Sequence, residues 1–303
     1  MKDAFSGFHP MVNFMYFAAV IGFSMFFMHP VCLGISLICA SAYAIYLHGR
    51  KAIKIGMLFM LPMLIITAAM NPLFNHRGAT ILTYLPNGNP LTLESTLFGI
   101  AAAVMLITVI IWFSCFNAVI TGDKFIYLFG RLSPALSSIL SMSLRFVPRF
   151  RAQMKVIINA QKSINPRARL GVRQGVMLGM KQGIRQGVNI LSITITWALE
   201  NGIETADSMK NRGYGLPGRT AFSIFTFTRR DAYACVYLTL CVAVVIFGAL
   251  TGAYHFRYFP TVRGQISGIG TITVFAAYLA LAAFPIIINI KEELYWKRIV
   301  SKI

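Results

Sequence analysis

Three carboxylates lie close together in the central part of the chain, on Glu200, Glu204 and Asp207. Spacings of four and three residues place them on one face if the segment is helical. Such carboxylates can serve acid and base catalysis, but neither a nucleophile nor a metal-ligand set accompanies them, and the five histidines are scattered. They can also pair with Arg145 and Arg149, which lie four residues apart in a preceding segment. The spacing therefore favours structural pairing over catalysis.

Two amphipathic helices are predicted to carry these charges. Residues 133–160 repeat apolar side chains at helical spacing and contain Pro148, where a kink is expected. Residues 188–211 have the same periodicity. Gly213 or Gly215 is then suited to end the second helix in a left-handed conformation.

A glycine repeat separates the two predicted helices. From Gly171 to Gly187 every fourth residue is glycine, and the triplet Arg/Lys-Gln-Gly recurs three times. A helical repeat would let another helix approach closely, although each glycine costs about 0.8–1.0 kcal/mol relative to alanine. A flexible basic linker is the alternative, and the sequence leaves both interpretations open.

Composition indicates an integral membrane protein. The 303 residues are 57% hydrophobic and 12% charged, about half the charged fraction of a soluble domain. The net charge is +19, and residues 121–231 contain 17 of the 28 Lys and Arg. Long apolar runs interrupt this charge, which therefore predicts membrane topology and no nucleic-acid surface. The five cysteines lie within those runs and are interpreted as small apolar side chains.

Six segments are apolar enough to cross a bilayer, and the first is expected to be retained as a helix. The loops on one side of these segments carry 25 Lys and Arg, and those on the other side carry only Arg77, Arg257 and Arg263. The positive-inside rule places both termini and residues 121–231 in the cytoplasm. The predicted spans are residues 11–28, 31–47, 55–70, 95–120, 232–253 and 270–290.

Three regions follow from this topology. Residues 1–120 form the first four transmembrane helices, residues 121–231 form a cytoplasmic helical module, and residues 232–303 form the last two spans and a cytoplasmic tail. The outer loop, residues 71–94, is expected to contain a strand at residues 79–84 and a tight turn around Asn87-Gly88. The predicted fold class is an all-α integral membrane protein.

One motif resembles the signature of the transmembrane T component of energy-coupling factor (ECF) transporters, the EcfT/CbiQ-like family. It reads Trp197-Ala198-Leu199-Glu200, followed by Ala206-Asp207-Ser208-Met209-Lys210-Asn211-Arg212-Gly213-Tyr214-Gly215. The stretch Leu144-Arg145-Phe146-Val147-Pro148-Arg149-Phe150 and the arrangement of spans extend the resemblance over most of the chain.

The resemblance implies a scaffold that joins two ABC-type ATPases to a small substrate-binding membrane subunit, the S component. Two cytoplasmic coupling helices in that family each end in an Ala-Arg-Gly motif that inserts into an ATPase. Here the second motif maps onto Asn211, Arg212 and Gly213, with Asn in place of Ala. The first is expected near the end of the 133–160 helix, where Ala-Arg-Gly is absent and Lys162, Arg167 or Arg169 can substitute.

The predicted function is therefore energy coupling for uptake of a vitamin or a transition-metal ion. No Gly-x-x-x-x-Gly-Lys-Ser/Thr phosphate loop is present, so ATP hydrolysis is expected in partner subunits, without a cofactor or metal in this chain. A stand-alone secondary transporter or channel is the first alternative, disfavoured because the spans lack internal acidic residues. A membrane enzyme using the central carboxylates is the second. Membrane lipid is the remaining expected partner.

Overall fold

The computed structural model describes residues 3–84, 88–130, 134–164, 176–214, 216, 225–252, 254, 256–264 and 268–300. Within these residues the chain is mainly helical and forms two compact units. The bundle unit comprises Met1–Phe125 and Phe225–Ile303, and the central unit comprises Ile126–Ile224. The helices are α1 (Pro10–Phe26), α2 (Pro30–Phe74), α3 (Leu93–Val119), α4 (Gly122–Gly130), α5 (Pro134–Ile164), α6 (Val176–Asn211), α7 (Arg229–Leu250) and α8 (Ile269–Val300).

The first two helices begin with the same dipeptide, at His9-Pro10 and His29-Pro30. In both, the histidine Nδ1 accepts the backbone N–H two residues further on, at 3.3 Å. Proline suits the first helical position because its fixed φ is already helical and its missing N–H would have no intrahelical partner. Local sequence therefore sets both helix starts.

Four helical stretches in the described residues are long and apolar enough to cross a membrane: Pro30–Gly49, Leu93–Val119, Arg229–Leu250 and Gly270–Val300. These correspond to four of the six predicted spans. The other two are also helical but shorter, at Pro10–Phe26 and Met60–Phe74. The 17 residues of α1 rise about 26 Å, slightly less than a hydrocarbon core of about 30 Å.

Gly49 divides α2 into two helical segments. Its φ of 72° and ψ of 167° are non-helical and lie where an L side chain is disfavoured. Arg50, Lys51 and Lys54 follow this break, where the sequence predicted a polar loop between the second and third spans. The connection is therefore a sharp break at one glycine.

Two small antiparallel sheets lie at one end of the bundle unit. Strand β1 (Ile81–Tyr84) pairs with β2 (Pro90–Thr92), which confirms the strand predicted in the outer loop. Strand β3 (Phe256–Arg257) pairs with β4 (Arg263–Gly264). The Ala79 N–H donates to the Pro260 carbonyl at 3.1 Å, and the Tyr258 hydroxyl donates to the Met28 carbonyl at 2.7 Å. These bonds bring three loops together.

Aromatic side chains fill the interior of the bundle unit. Trp112 and Tyr16 are fully buried, with ring centroids 6.0 Å apart. The Trp112 indole N–H donates to the Ser36 hydroxyl at 3.0 Å, and the Ser36 and Ser24 hydroxyls are 2.7 Å apart. Such interhelical hydrogen bonds hold apolar helices together where hydrophobic contrast with lipid is absent.

Candidate partner-docking site

Helices α5 and α6 pack against each other in the central unit. Phe150 of α5 contacts Trp197 of α6 edge-on, with ring centroids 5.6 Å apart and an interplanar angle of 81°. Ile157 and Thr194 are buried, and the Thr194 hydroxyl donates to the Ile190 carbonyl of its own helix. An aromatic contact of this geometry contributes about 0.5–1.5 kcal/mol beyond the area it buries.

Helix α6 presents three distinct faces. One contains the buried or half-buried residues at the contact with α5, including Thr194, Trp197 and Asn201. The acidic residues Glu200, Glu204 and Asp207 occupy a second face, as their spacing predicted. A third face is apolar although its side chains are each at least 50% exposed: Ile184, Val188, Leu191, Ile195, Leu199 and Ile203.

A Schellman motif ends α6. The Gly213 N–H donates to the Lys210 carbonyl at 3.0 Å, and the Tyr214 N–H donates to the Met209 carbonyl at 3.0 Å. Gly213 has a φ of 81°, which confirms its prediction as a left-handed C-cap. Arg212, one residue before the glycine, is exposed. The turn therefore ends a long helix in an accessible guanidinium.

Gly213→Ala should destabilise this turn by about 1–2 kcal/mol, because a Cβ disfavours left-handed backbone. The added Cβ would also lie 3.0 Å from Leu216 Cδ1. Gly202→Ala is the matched control, since it lies within α6 with no neighbouring atom within 4 Å of an added Cβ. It should stabilise the helix by about 0.8–1.0 kcal/mol. Amide hydrogen exchange over residues 200–214 measures both changes in helix stability. If both substitutions stabilised the helix, or both destabilised it, the left-handed role of Gly213 would be contradicted.

The residues predicted to pair across the central unit are all exposed: Arg145, Arg149, Glu200, Glu204 and Asp207. Arg149 and Glu200 each lie within one turn of the Phe150–Trp197 contact. In the part of the chain that the structure describes, the ion pairs are elsewhere, at Arg230–Glu292 and Glu293–Lys297. The pairing of the basic and acidic faces remains a prediction.

A charge-swap cycle tests that pairing. Arg145→Glu and Glu204→Arg should each destabilise the packing of α5 on α6, and the double variant should partly restore it. Because both side chains are exposed, the expected coupling energy is about 0.2–1 kcal/mol. Thermal unfolding of the four proteins in detergent gives this coupling. A double variant no more stable than the single variants would refute the pairing.

The candidates for the first docking motif lie mostly outside the described residues. Arg167 and Arg169 fall in the undescribed stretch between α5 and α6. Lys162 belongs to α5, but its side chain is not described. The glycine repeat is described only from residue 176 onward, where it is helical. Nothing within 4 Å would meet a Cβ at Gly187.

Asp3 is the centre of an anchor for the amino-terminal segment that the sequence did not predict. The Asp3 carboxylate accepts the Tyr43 hydroxyl at 2.8 Å and the Ser6 N–H at 3.0 Å, and it also accepts the Asn289 amide. Asn289 in turn accepts the Ala4 N–H at 2.8 Å. These bonds join the amino terminus to α2 and α8.

Lys124 and Asp231 complete this anchor. The buried Lys124 ammonium donates to the Ser6 carbonyl at 2.6 Å and to the Val119 carbonyl at 3.0 Å. Burial lowers the pKa of Lys124, while nearby Asp3 acts in the opposite direction. The buried Asp231 carboxylate accepts the His9 N–H at 2.9 Å and both the N–H and hydroxyl of Thr228. The anchor therefore joins the amino-terminal segment to residues of α2, α4, α7 and α8 and to the end of α3.

In comparisons with known proteins, no family model and no curated protein sequence matches the chain.

Proposed function

We propose that this chain is the transmembrane coupling scaffold, or T component, of an ECF-type ABC importer. In this role it links two cytoplasmic ATPases to a small substrate-binding membrane subunit that takes up a vitamin or a metal ion. The observation that carries the proposal is the end of α6, where a Schellman turn follows the exposed Arg212. This is the position at which the resemblance implies ATPase docking.

The chemistry of Arg212 supports docking to an acidic partner surface. A guanidinium keeps its charge at any cellular pH and offers five donors in a planar fork that matches carboxylates. Its position at the end of a 36-residue helix suits transmission of movement, because the hydrogen-bonded helix resists bending along its length. Arg212 would insert into a carboxylate-lined groove, and the motion of the ATPases would pass along α6.

The exposed apolar face of α6 supports a second contact. Six aliphatic side chains from Ile184 to Ile203 are exposed along this face, and a contiguous apolar surface of this kind typically marks an interaction site. We assign it to the substrate-binding membrane subunit, whose own surface is apolar. The acidic face of α6 would then remain available to the basic face of α5.

Six crossings and a cytoplasmic central unit complete the proposal. The four long spans and the two shorter apolar helices, α1 and Met60–Phe74, would all cross the bilayer. An even number of crossings leaves both termini on one side, and the distribution of Lys and Arg makes that side the cytoplasm. The anchor agrees with this topology, because it joins the amino terminus to residues that enter and leave the central segment.

Affinity purification from membranes tests the proposal. The tagged chain is extracted in mild detergent, and the proteins recovered with it are identified by mass spectrometry. We expect two ABC-type ATPase chains and one small membrane protein, and that protein would indicate the solute. Recovery of the chain alone, together with transport in liposomes that lack ATPases, would instead establish a stand-alone transporter.

A further inference from the structure

A groove of about 700 Å³ runs along the surface of the bundle unit between α7 and α8. It starts beside the amino-terminal anchor, because its first residue on α7, Arg230, adjoins Asp231. The lining residues of α7 lie three and four positions apart in the sequence, and those of α8 lie four and three positions apart. Each helix therefore contributes one continuous face to the groove. The lining includes Arg230, Tyr233 and Tyr237 from α7, and Phe284, Ile288, Lys291 and Arg298 from α8.

The groove changes character along its length. At one end Tyr237 stacks on Phe284, with ring centroids 5.2 Å apart and an interplanar angle of 20°. Lys291 lies seven residues along α8 from Phe284, a rise of about 10 Å. Arg298 lies fourteen residues from Phe284, a rise of about 21 Å. One leaflet of hydrocarbon is about 15 Å thick. The aromatic end therefore lies at acyl-chain depth when the cations lie at the level of the headgroups.

The charged end of the groove is cationic. Three of its residues are basic and one, Glu292, is acidic, which gives a formal charge of +2. The Arg230 guanidinium lies 4.2 Å above the centre of the Phe8 ring and 3.7 Å from the Glu292 carboxylate. Its side chain is nevertheless 54% exposed, so part of its donor fork remains accessible to a ligand.

We propose that this groove binds one anionic glycerophospholipid from the adjacent leaflet. The phosphate lies against Arg230, Lys291 and Arg298, and an acyl chain runs along Ile288 towards Tyr237. Tyr233, 77% exposed, lies at the interface depth that tyrosine favours in membrane proteins. Basic pockets between transmembrane helices bind the headgroups of anionic lipids in this way.

The combination of charge and apolar length selects a lipid over a free anion. A small phosphate would use only the cationic end and leave the apolar lining in contact with water or detergent. A zwitterionic lipid would fill the apolar part, but its headgroup would add a cation to a site whose charge is already positive. This inference depends on α7 and α8 crossing the membrane and not on the proposed coupling function.

Native mass spectrometry of the full chain in detergent tests the lipid site. The protein is titrated with phosphatidylglycerol, with phosphatidylcholine of the same acyl-chain length, and with glycerol phosphate as the free headgroup. We expect one tightly bound phosphatidylglycerol, weaker phosphatidylcholine binding, and no displacement of the lipid by glycerol phosphate. Equal binding of the two lipids, or displacement by glycerol phosphate, would overturn the proposal.

A triple variant removes the cationic end, with Arg230, Lys291 and Arg298 all changed to Gln. If each cation strengthens binding about five-fold, phosphatidylglycerol affinity should fall about a hundred-fold. The matched control changes Arg77, Arg257 and Arg263 to Gln, which removes the same charge from exposed positions at the other end of the bundle unit. This control should bind lipid as the parent chain does. An equal loss in both variants would show general charge attraction and overturn the site.

Glu292→Gln provides a test of opposite sign. Removing this carboxylate raises the charge of the groove and frees Arg230 from its ion partner. Phosphatidylglycerol should therefore bind about five-fold more tightly. Weaker or unchanged binding in a folded Glu292→Gln chain would contradict the assignment of the phosphate to this end.

Discussion

Arg212→Glu should abolish association of the chain with ABC-type ATPases while leaving its insertion into the membrane intact. The substitution places a carboxylate where the proposed partner surface is itself acidic. Loss of one member of a buried charge pair costs about 2–5 kcal/mol, and charge reversal adds repulsion, so affinity should fall at least about 30-fold. Co-purification of the ATPases with the tagged variant measures the loss.

Two further variants separate docking from general charge. Arg185→Glu makes the same charge change at another exposed position on α6, far from the Schellman turn, and should keep the ATPases bound. Arg212→Lys retains the charge but loses the planar fork and should bind with intermediate affinity. Normal ATPase recovery with Arg212→Glu would exclude this residue as the docking contact.

Asp231→Ala should strongly destabilise the bundle unit. This carboxylate is only 4% exposed and accepts three hydrogen bonds, from the His9 N–H and from the N–H and hydroxyl of Thr228. Removing it leaves the buried His9 N–H unpaired at about 1–3 kcal/mol and removes the two part-buried bonds from Thr228 at about 0.5–1.5 kcal/mol each, so the expected loss is about 2–6 kcal/mol. Thermal unfolding in detergent should show a clear fall in the apparent Tm.

Hydrogen exchange gives that prediction a local readout. If Asp231 anchors the amino-terminal segment, amides at residues 4–9 should exchange faster in Asp231→Ala than in the parent chain. Asp207→Ala is the control, since it removes an exposed carboxylate from the central unit and should change stability by no more than about 0.5 kcal/mol. Equal behaviour of the two variants would show that the bonds to Asp231 contribute little.

The positions of the helices were predictable because apolar length is a local property of the sequence. The span predicted at residues 95–120 is Leu93–Val119, and the one predicted to start at residue 11 starts at Pro10. The last helix continues to Val300, ten residues beyond its predicted end. Half of the residues in this extension are charged. It is stabilised by an ion pair between Glu293 and Lys297 and by cations in the last turn, which hydropathy does not register.

The anchor was not predictable because its members are distant in sequence. Asp3 and Asn289 are 286 residues apart, and His9 and Asp231 are 222 residues apart. The one available signal is position: Asp3, Lys124 and Asp231 are charged residues at the borders of apolar segments in a chain with few charges. Their partners depend on which helix ends meet in the fold, and that information is tertiary.

The end of α6 was predictable in outline for a local reason. Gly213 supplies the left-handed conformation that closes the helix, and the two capping hydrogen bonds follow from that backbone geometry. The predicted module, residues 121–231, was defined by membrane topology, and the compact central unit Ile126–Ile224 lies within it. Lys124 and Asp231 belong to the bundle unit because both bond to its amino-terminal segment.

Site-specific crosslinking next to Arg212 tests the coupling proposal most directly. Lys210→Cys introduces an exposed thiol two residues away and leaves the arginine in place. The native cysteines are poor competitors for a hydrophilic photoreactive maleimide, because four are buried and Cys235 is half-buried. Labelling is carried out in membranes from cells that express the full transporter. Ser192→Cys, exposed in the middle of α6, serves as the control.

If the end of α6 docks an ATPase, illumination should crosslink position 210 to an ABC-type ATPase subunit, and position 192 should give no such product. The position-210 product should disappear when Arg212→Glu is added. If position 210 gives no ATPase product, or if position 192 gives the same yield, the end of α6 is not the ATPase docking site and the coupling-scaffold proposal is contradicted.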